Sequence, residues 1–131
     1  MISGLSILLA AALVTGASTQ SATAVPVRIS GSTAANDELQ RDILQTIAYF
    51  GPSLGCPAPS KAVVGRLNAS MISPNASYYS PALGSAYEEW DVTFCGKSHR
   101  FLVKFAPDPK GGSFLSVVFP YPADAPSATF R

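Results

Sequence analysis

Apolar and polar positions alternate in two neighbouring segments of the second half of the chain, residues 89–95 and 100–105. Alternation with a period of two is typical of a β-strand that buries one of its faces. The two segments therefore predict a pair of strands whose shared inner face is apolar. The apolar positions are Trp90, Val92, Phe94, Phe101, Val103 and Phe105.

Gly96 and Lys97 separate these two segments and predict the turn of a β-hairpin. Glycine suits the first position of a two-residue type II′ turn, which places Cys95 opposite Ser98. In this register apolar residues face apolar residues, and oppositely charged or polar residues meet on the other face, as cross-strand pairing prefers. The predicted pairs are Val92 with Phe101, Trp90 with Val103, Glu89 with Lys104, and Thr93 with Arg100.

Earlier in the chain, apolar residues recur at helical spacing and predict one amphipathic helix. Asn36 or Thr33 can act as its N-cap, and Gly51 followed by Pro52 ends it. A stripe of this kind indicates a helix that lies flat on an apolar core. The stripe consists of Leu39, Ile43, Leu44, Ile47 and Phe50.

The remaining segments predict a small sheet around this helix. A short edge strand is expected around Val27 and Ile29, a further strand over residues 61–72, and another over residues 114–119. In the 61–72 strand, one face is expected to carry Val63, Gly65, Leu67, Ala69 and Met71. Residues 51–60 are rich in Pro and Gly and predict irregular structure, as do residues 73–86, which contain two prolines. The predicted fold class is α+β: one amphipathic helix packed on an antiparallel β-meander of three or four strands.

The N-terminal part of the chain has the pattern of a secretory signal peptide. The first 27 residues contain no charged side chain, Leu5 to Val14 form an apolar run, and Ala22-Thr23-Ala24 is an A-x-A cleavage sequence. We predict residues 1–24 as the signal peptide and residues 25–131 as a single α+β domain that is periplasmic or secreted. The alternative is an uncleaved anchor, which would need about 20 apolar residues.

Cys56 and Cys95 are the two cysteines of the chain and are expected to form a disulfide. A metal pair or a reactive thiol are the alternatives, but a structural zinc site normally needs four ligands. The chain adds one histidine to its two cysteines, at spacings that fit no zinc signature. No metal and no cofactor are therefore expected. A bridge closing a loop of this length contributes roughly 4 kcal/mol in the chain-entropy model.

The hairpin region also carries a motif of the form E-x-W-x-V-x-x-C-G, then F-x-V-x-F-x-P-D, then G-G. It resembles the C-terminal hairpin of small, uncharacterised exported bacterial proteins, and in its helix-plus-meander form it is similar to PepSY-type modules. The resemblance implies a shared architecture and a bacterial, periplasmic setting, and it implies no activity. The motif positions are Glu88, Trp90, Val92, Cys95, Gly96, Phe101, Val103, Phe105, Pro107, Asp108, Gly111 and Gly112.

Charge and short motifs exclude several classes of function. The formal net charge is +1 and the charges are interspersed, which disfavours nucleic-acid binding and recruitment to anionic membranes. Gly96-Lys97-Ser98 matches the end of a phosphate-binding loop, but a strand follows it instead of a helix. The carboxylates of Glu88, Glu89 and Asp91 are better explained by a solvated strand face than by a cation site. Two N-x-S sequons, at residues 68–70 and 75–77, matter only in a eukaryotic source.

The second face of the sheet is the predicted interaction surface, because one helix covers only one face. It is expected to bind a protein partner or a second copy, with Tyr78 and Tyr79 at its margin, unless residues 73–86 cover it. The leading hypothesis is a non-enzymatic binding module. The alternatives are a small hydrolase-like enzyme using His99 with Glu88, or a structural envelope component. The candidate interaction face consists of Leu102, Leu115, Val117, Phe119 and Tyr121.

Overall fold

In the computed structural model, which describes residues 27–129, one α-helix lies on a five-stranded sheet. The predicted signal peptide lies outside these residues, and within them no helix is both long and apolar enough to cross a membrane. Two short 3₁₀ turns follow α1 and β2, at Pro52–Leu54 and Ala69–Met71. The principal elements are β1 (Arg28–Gly31), α1 (Asp37–Ala48), β2 (Pro59–Leu67), β3 (Ala86–Phe94), β4 (Lys97–Pro107) and β5 (Ser113–Val118).

The five strands lie in the order in which they occur in the chain. β1 and β2 are parallel and α1 connects them, whereas β2 to β5 form an antiparallel meander. Parallel neighbours need a crossover connection, and the only helix of the described residues provides it. The α+β class with a meander and one helix is confirmed, but the prediction of three or four antiparallel strands is wrong, since the sheet has five strands and is mixed.

The helix begins and ends where the sequence predicts. Asn36 is the N-cap, and its side-chain oxygen accepts a hydrogen bond of 2.8 Å from the backbone N–H of Leu39. The last helical residue is Ala48, shortly before Gly51 and Pro52. All five residues of the predicted stripe pack in the core, and Ile43 and Ile47 are completely buried there.

The β3–β4 hairpin is confirmed, but its predicted turn is displaced. The loop consists of Cys95 and Gly96, both of which have positive φ angles, as a type I′ turn requires. Phe94 therefore lies opposite Lys97, and every pair differs from the predicted register by two residues. Because a shift of two keeps each side chain on its face, the predicted apolar inner face is correct. The observed pairs include Trp90 with Phe101, Val92 with His99, Glu89 with Leu102, and Asp91 with Arg100.

The predicted 61–72 strand is shorter and oriented differently. It ends at Leu67, since the side chain of Asn68 accepts the backbone N–H of Ser70 and starts a 3₁₀ turn. Its residues in the core under the helix are Ala62 and Val64, whereas Leu67 packs on the opposite side of the sheet. The buried side chains of β2 are thus those of the parity opposite to the predicted one.

The predicted disulfide between Cys56 and Cys95 is confirmed, with a Cα–Cα distance of 5.9 Å. It joins the tip of the β3–β4 hairpin to the connection between α1 and β2. That connection contains Gly51, whose place cannot take a side chain because a Cβ would collide with the carbonyl oxygen of Cys56. The bridge therefore fixes a compact loop that follows the C-terminal end of the helix.

Removal of this bridge should destabilise the domain without changing its fold. The Cys56→Ala/Cys95→Ala variant should lower the free energy of unfolding by about 2–4 kcal/mol, because the unfolded chain gains conformational entropy. Urea unfolding followed by tryptophan fluorescence measures this difference. The wild type under a reducing agent is the control and should match the variant. Equal stability of the oxidised and reduced proteins would contradict the prediction.

Candidate functional site

The five residues of the predicted interaction face do not lie on one side of the sheet. Val117 pairs with Val103 and Leu115 with Phe105, so both point toward the helix. Phe119 also packs in the core under the helix and stacks on Phe101 at 4.6 Å between ring centroids. Only Leu102 and Tyr121 lie on the outer face. The expectation of one continuous apolar face is therefore wrong. β5 pairs with β4 so that Leu115 and Val117 lie on the helix side of the sheet, opposite to Leu102.

The outer face of the sheet is covered by two segments of the same chain. Ile72 and Tyr78 are buried there against Leu102, which confirms that the loop between β2 and β3 covers this face. The amine of Lys104 donates a 2.6 Å hydrogen bond to the carbonyl oxygen of Tyr78, and burial lowers the pKa of this lysine. The C-terminal segment, residues 120–129, adds Tyr121 and was not predicted to take part.

An ion pair on this outer face holds the C-terminal segment in place. The Glu89 carboxylate is 3% exposed and accepts a 2.8 Å hydrogen bond from Nε of Arg100 and a 2.9 Å bond from the backbone N–H of Ala128. The guanidinium of Arg100 lies 4.0 Å from the ring centroid of Tyr121 and also donates to the hydroxyl of Ser127. The hydrogen bond with Glu89 raises the pKa of Arg100. The C-terminal segment is thus fixed by polar contacts to β3 and β4.

On the helix side of the sheet, Glu88 is a second buried carboxylate, only 1% exposed. Its oxygens accept hydrogen bonds from the hydroxyl of Thr33 at 2.7 Å, the backbone N–H of Ala34 at 2.6 Å and the indole N–H of Trp90 at 2.9 Å. Thr33 also accepts the backbone N–H of Ala35 at 3.0 Å. The carboxylate therefore joins β3 to the connection between β1 and α1. The expectation that Glu88 belongs to a solvated strand face is wrong.

The proposed catalytic pair of His99 and Glu88 is not assembled. Glu88 pairs with Val103 and His99 with Val92, four residues apart on β4, which corresponds to about 13 Å along an extended strand. The ring of His99 packs edge-on against Phe94 and Phe119. His99 is a half-buried residue at the end of the core, and the three hydrogen bonds of Glu88 all come from groups that hold the fold together.

The side chains that most often bind metals do not cluster in the part of the chain that the structure describes. No group of three or more His, Cys, Asp or Glu side chains comes together there. Within that part, both cysteines are in the disulfide, Glu89 binds Arg100, and Asp91 accepts a hydrogen bond from Ser98.

β5 combines a free backbone edge with the one large apolar side chain of the described sheet that is largely exposed. Within residues 27–129, β5 pairs with β4 alone, so its other edge presents N–H and C=O groups to solvent. The side chain of Phe114 is 56% exposed at the start of this strand. Together with Ser80, Lys104 and Ala106 it borders a small cavity of about 80 Å³.

No family model matches this chain, and neither a curated protein nor a solved structure shows significant similarity to it. The resemblance of the hairpin motif to small exported bacterial proteins therefore stays a prediction.

The burial of Glu88 could be predicted from the sequence, whereas its hydrogen-bond donors could not. Glu88 lies two residues before Trp90, and this parity places it on the apolar inner face of β3. A carboxylate at such a position indicates a buried acceptor with its own donors. The donors Thr33 and Ala34, more than 50 residues away, carry no such signal. Nor does the sequence show that residues 120–129 turn back over the sheet.

Replacement of Glu88 by Gln should destabilise the protein although the two side chains have the same shape. The amide has one oxygen, so its NH₂ group must face Ala34 or Trp90, which are themselves donors. Loss of these bonds from a buried site should cost about 1–3 kcal/mol in the free energy of unfolding. Urea unfolding measures the change, and exposed Glu38→Gln on the helix is the control, expected within about 0.5 kcal/mol of wild type. A stability of Glu88→Gln equal to that of the control would contradict the role given to Glu88.

Ionisation of Tyr121 should make the protein less stable in alkali. Burial and the neighbouring Glu89 raise the pKa of Tyr121 from 10.0 to about 12. Between these values the unfolded chain carries fewer protons than the folded protein, so the free energy of unfolding falls as the pH rises. In Tyr121→Phe the free energy of unfolding should fall less steeply with pH. Some decrease should remain, because burial also raises the pKa of Tyr78.

Urea unfolding at several pH values between 9 and 11 gives this slope for each variant. Exposed Tyr49→Phe is the matched control and should keep the wild-type slope. Identical slopes for wild type and Tyr121→Phe would show that Tyr121 is not buried beside Glu89 as the structure has it.

Proposed function

We propose that the chain is an exported, non-enzymatic binding module that takes up an added β-strand at the free edge of β5. Export is supported by the leader sequence of residues 1–24 and by the disulfide, which persists in oxidising compartments. The binding role is supported by one observation above all: β5 is an edge strand without the features that normally protect such an edge.

The contrast between the two edges of the sheet carries this proposal. β1, the strand at the other edge, has only four residues and includes Arg28. Short edge strands with a charged residue discourage pairing with another chain. β5 has the sequence Ser-Phe-Leu-Ser-Val-Val, with no charge and no proline. Natural proteins rarely leave such an edge exposed unless it pairs with another chain. The edge of β5 is thus the binding surface, in place of the outer face that the chain itself covers.

Phe114 is the side chain that a bound strand would cover. Phe114 lies on the outer face of β5, beside the small cavity that Ser80 also borders, and it is largely exposed. The large apolar side chains of β3 and β4 are buried by contrast. Main-chain hydrogen bonds along an edge supply affinity, and pockets for alternate side chains supply selectivity. The hydrolase-like alternative has no comparable support, since Glu88 and His99 lie apart.

Selection of peptides from a random library tests this function. The oxidised protein is attached to a surface so sparsely that its copies cannot touch, and the affinities of selected peptides are then measured. Phe114→Lys should weaken their binding by about tenfold, the effect of losing most of one buried phenylalanine contact. Tyr49→Lys is the matched control and should bind like wild type, because the exposed Tyr49 lies at the C-terminal end of α1, whereas the start of β5 lies beside its N-terminal part. Peptides that bind both variants equally, or no peptides at all, would overturn the proposal.

A further inference from the structure

We propose that the strand added to β5 is β5 of a second copy, so that two molecules form one continuous ten-stranded sheet about a two-fold axis. This inference rests on the proposed function and names its partner. An isologous interface requires that one surface be complementary to itself, which the edge of β5 satisfies in an antiparallel arrangement. The central residue of this arrangement is Ser116.

The side chains of β5 fit each other in this register. With Ser116 on the axis, Phe114 lies opposite the partner's Val118, and Leu115 lies opposite the partner's Val117. Phe114 and Val118 belong to the outer face in each copy, and Leu115 and Val117 to the helix face, so each face continues across the axis. An aromatic residue opposite a β-branched residue is a favourable cross-strand pair. The pairing thus covers the exposed ring of Phe114.

Charge also permits the self-pairing of β5. The strand carries no charged side chain, so no like charges meet at the axis. The C-terminal segment leaves the strand across the outer face, toward Arg100 and Glu89, and does not run along the edge. Glu38 and Asp42 border a cavity of about 370 Å³ between the helix and the start of β5. The antiparallel arrangement places the start of β5 in one copy opposite the end of β5 in the other, so these carboxylates do not meet at the axis.

Introduction of a charge at the axis tests this arrangement directly. In Ser116→Glu, each copy retains a favourable neighbour, because residue 116 lies opposite Lys104 on β4. In the dimer, however, two glutamates face each other, which should raise the dissociation constant of the dimer by about tenfold or more. Ser30→Glu on the other edge strand, β1, adds the same charge at an exposed position and is the matched control.

Sedimentation velocity of the oxidised protein over a wide concentration series gives the outcome. We expect wild type and Ser30→Glu to be dimers, Ser116→Glu and Ser116→Lys to be monomers, and an equimolar mixture of the last two to form dimers again. Urea unfolding of each variant shows that its fold is retained. Monomeric wild type at all concentrations, or Ser116→Glu that dimerises like wild type, would overturn the inference. Monomeric wild type that still binds selected peptides through Phe114 would overturn the inference and leave the proposed function standing.

Discussion

The attachment of both ends of the helix to β3 is the constraint on which the rest of the structure depends. β3 is the middle strand of the five, and Glu88 near its beginning binds the connection that leads into α1. Cys95, directly after its end, is bonded to Cys56 in the connection that leads out of α1. A helix of twelve residues is too short to be stable alone, so its place on the sheet must come from such contacts.

These two attachments differ in their physical basis. The disulfide acts mainly by restricting the unfolded chain, and its contribution grows with the length of the loop that it closes. The carboxylate of Glu88 acts in the folded state, where three donors replace the water that it loses on burial. A buried acceptor of this kind adds specificity, because a displaced helix would leave a charged or polar group without partners. We therefore regard Glu88 as the residue that selects one position for the β1–α1 connection.

The covering of the outer face determines where a binding function can reside. A small domain with one helix must protect the second face of its sheet by other means, and this chain uses the loop before β3 and its C-terminal segment. The ion pair of Glu89 and Arg100 fixes that segment through Ala128 and Ser127. Among residues 27–129, no segment covers the outer edge of β5, whereas both faces of the sheet are covered. The proposed site moves accordingly from the outer face to β5.

The sequence predicts those parts of the fold that local patterns determine. The cap at Asn36, the apolar stripe of α1 and the inner faces of β3 and β4 follow from spacing, and the disulfide follows from the cysteine count. The position of the turn at Cys95–Gly96 does not follow from the pattern, because a two-residue shift of register leaves both faces of the hairpin unchanged.

Features that depend on distant partners were beyond these patterns. Both faces of β5 are apolar, so its own sequence does not show which face lies toward the helix. Only the pairing with β4 determines this. The parallel pairing of β1 with β2 and the donors of Glu88 join segments that are far apart in sequence. Local periodicity contains no information on such contacts.

Amide hydrogen exchange at Ala34 tests the central role of Glu88 most directly. Ala34 is an exposed residue outside regular secondary structure, yet its N–H donates to a buried carboxylate. We predict that this amide, and the indole N–H of Trp90, exchange as slowly as the amides in the middle of β3. Exchange of the Ala34 amide at the rate of an exposed loop would contradict the claim that Glu88 fixes the β1–α1 connection to the sheet.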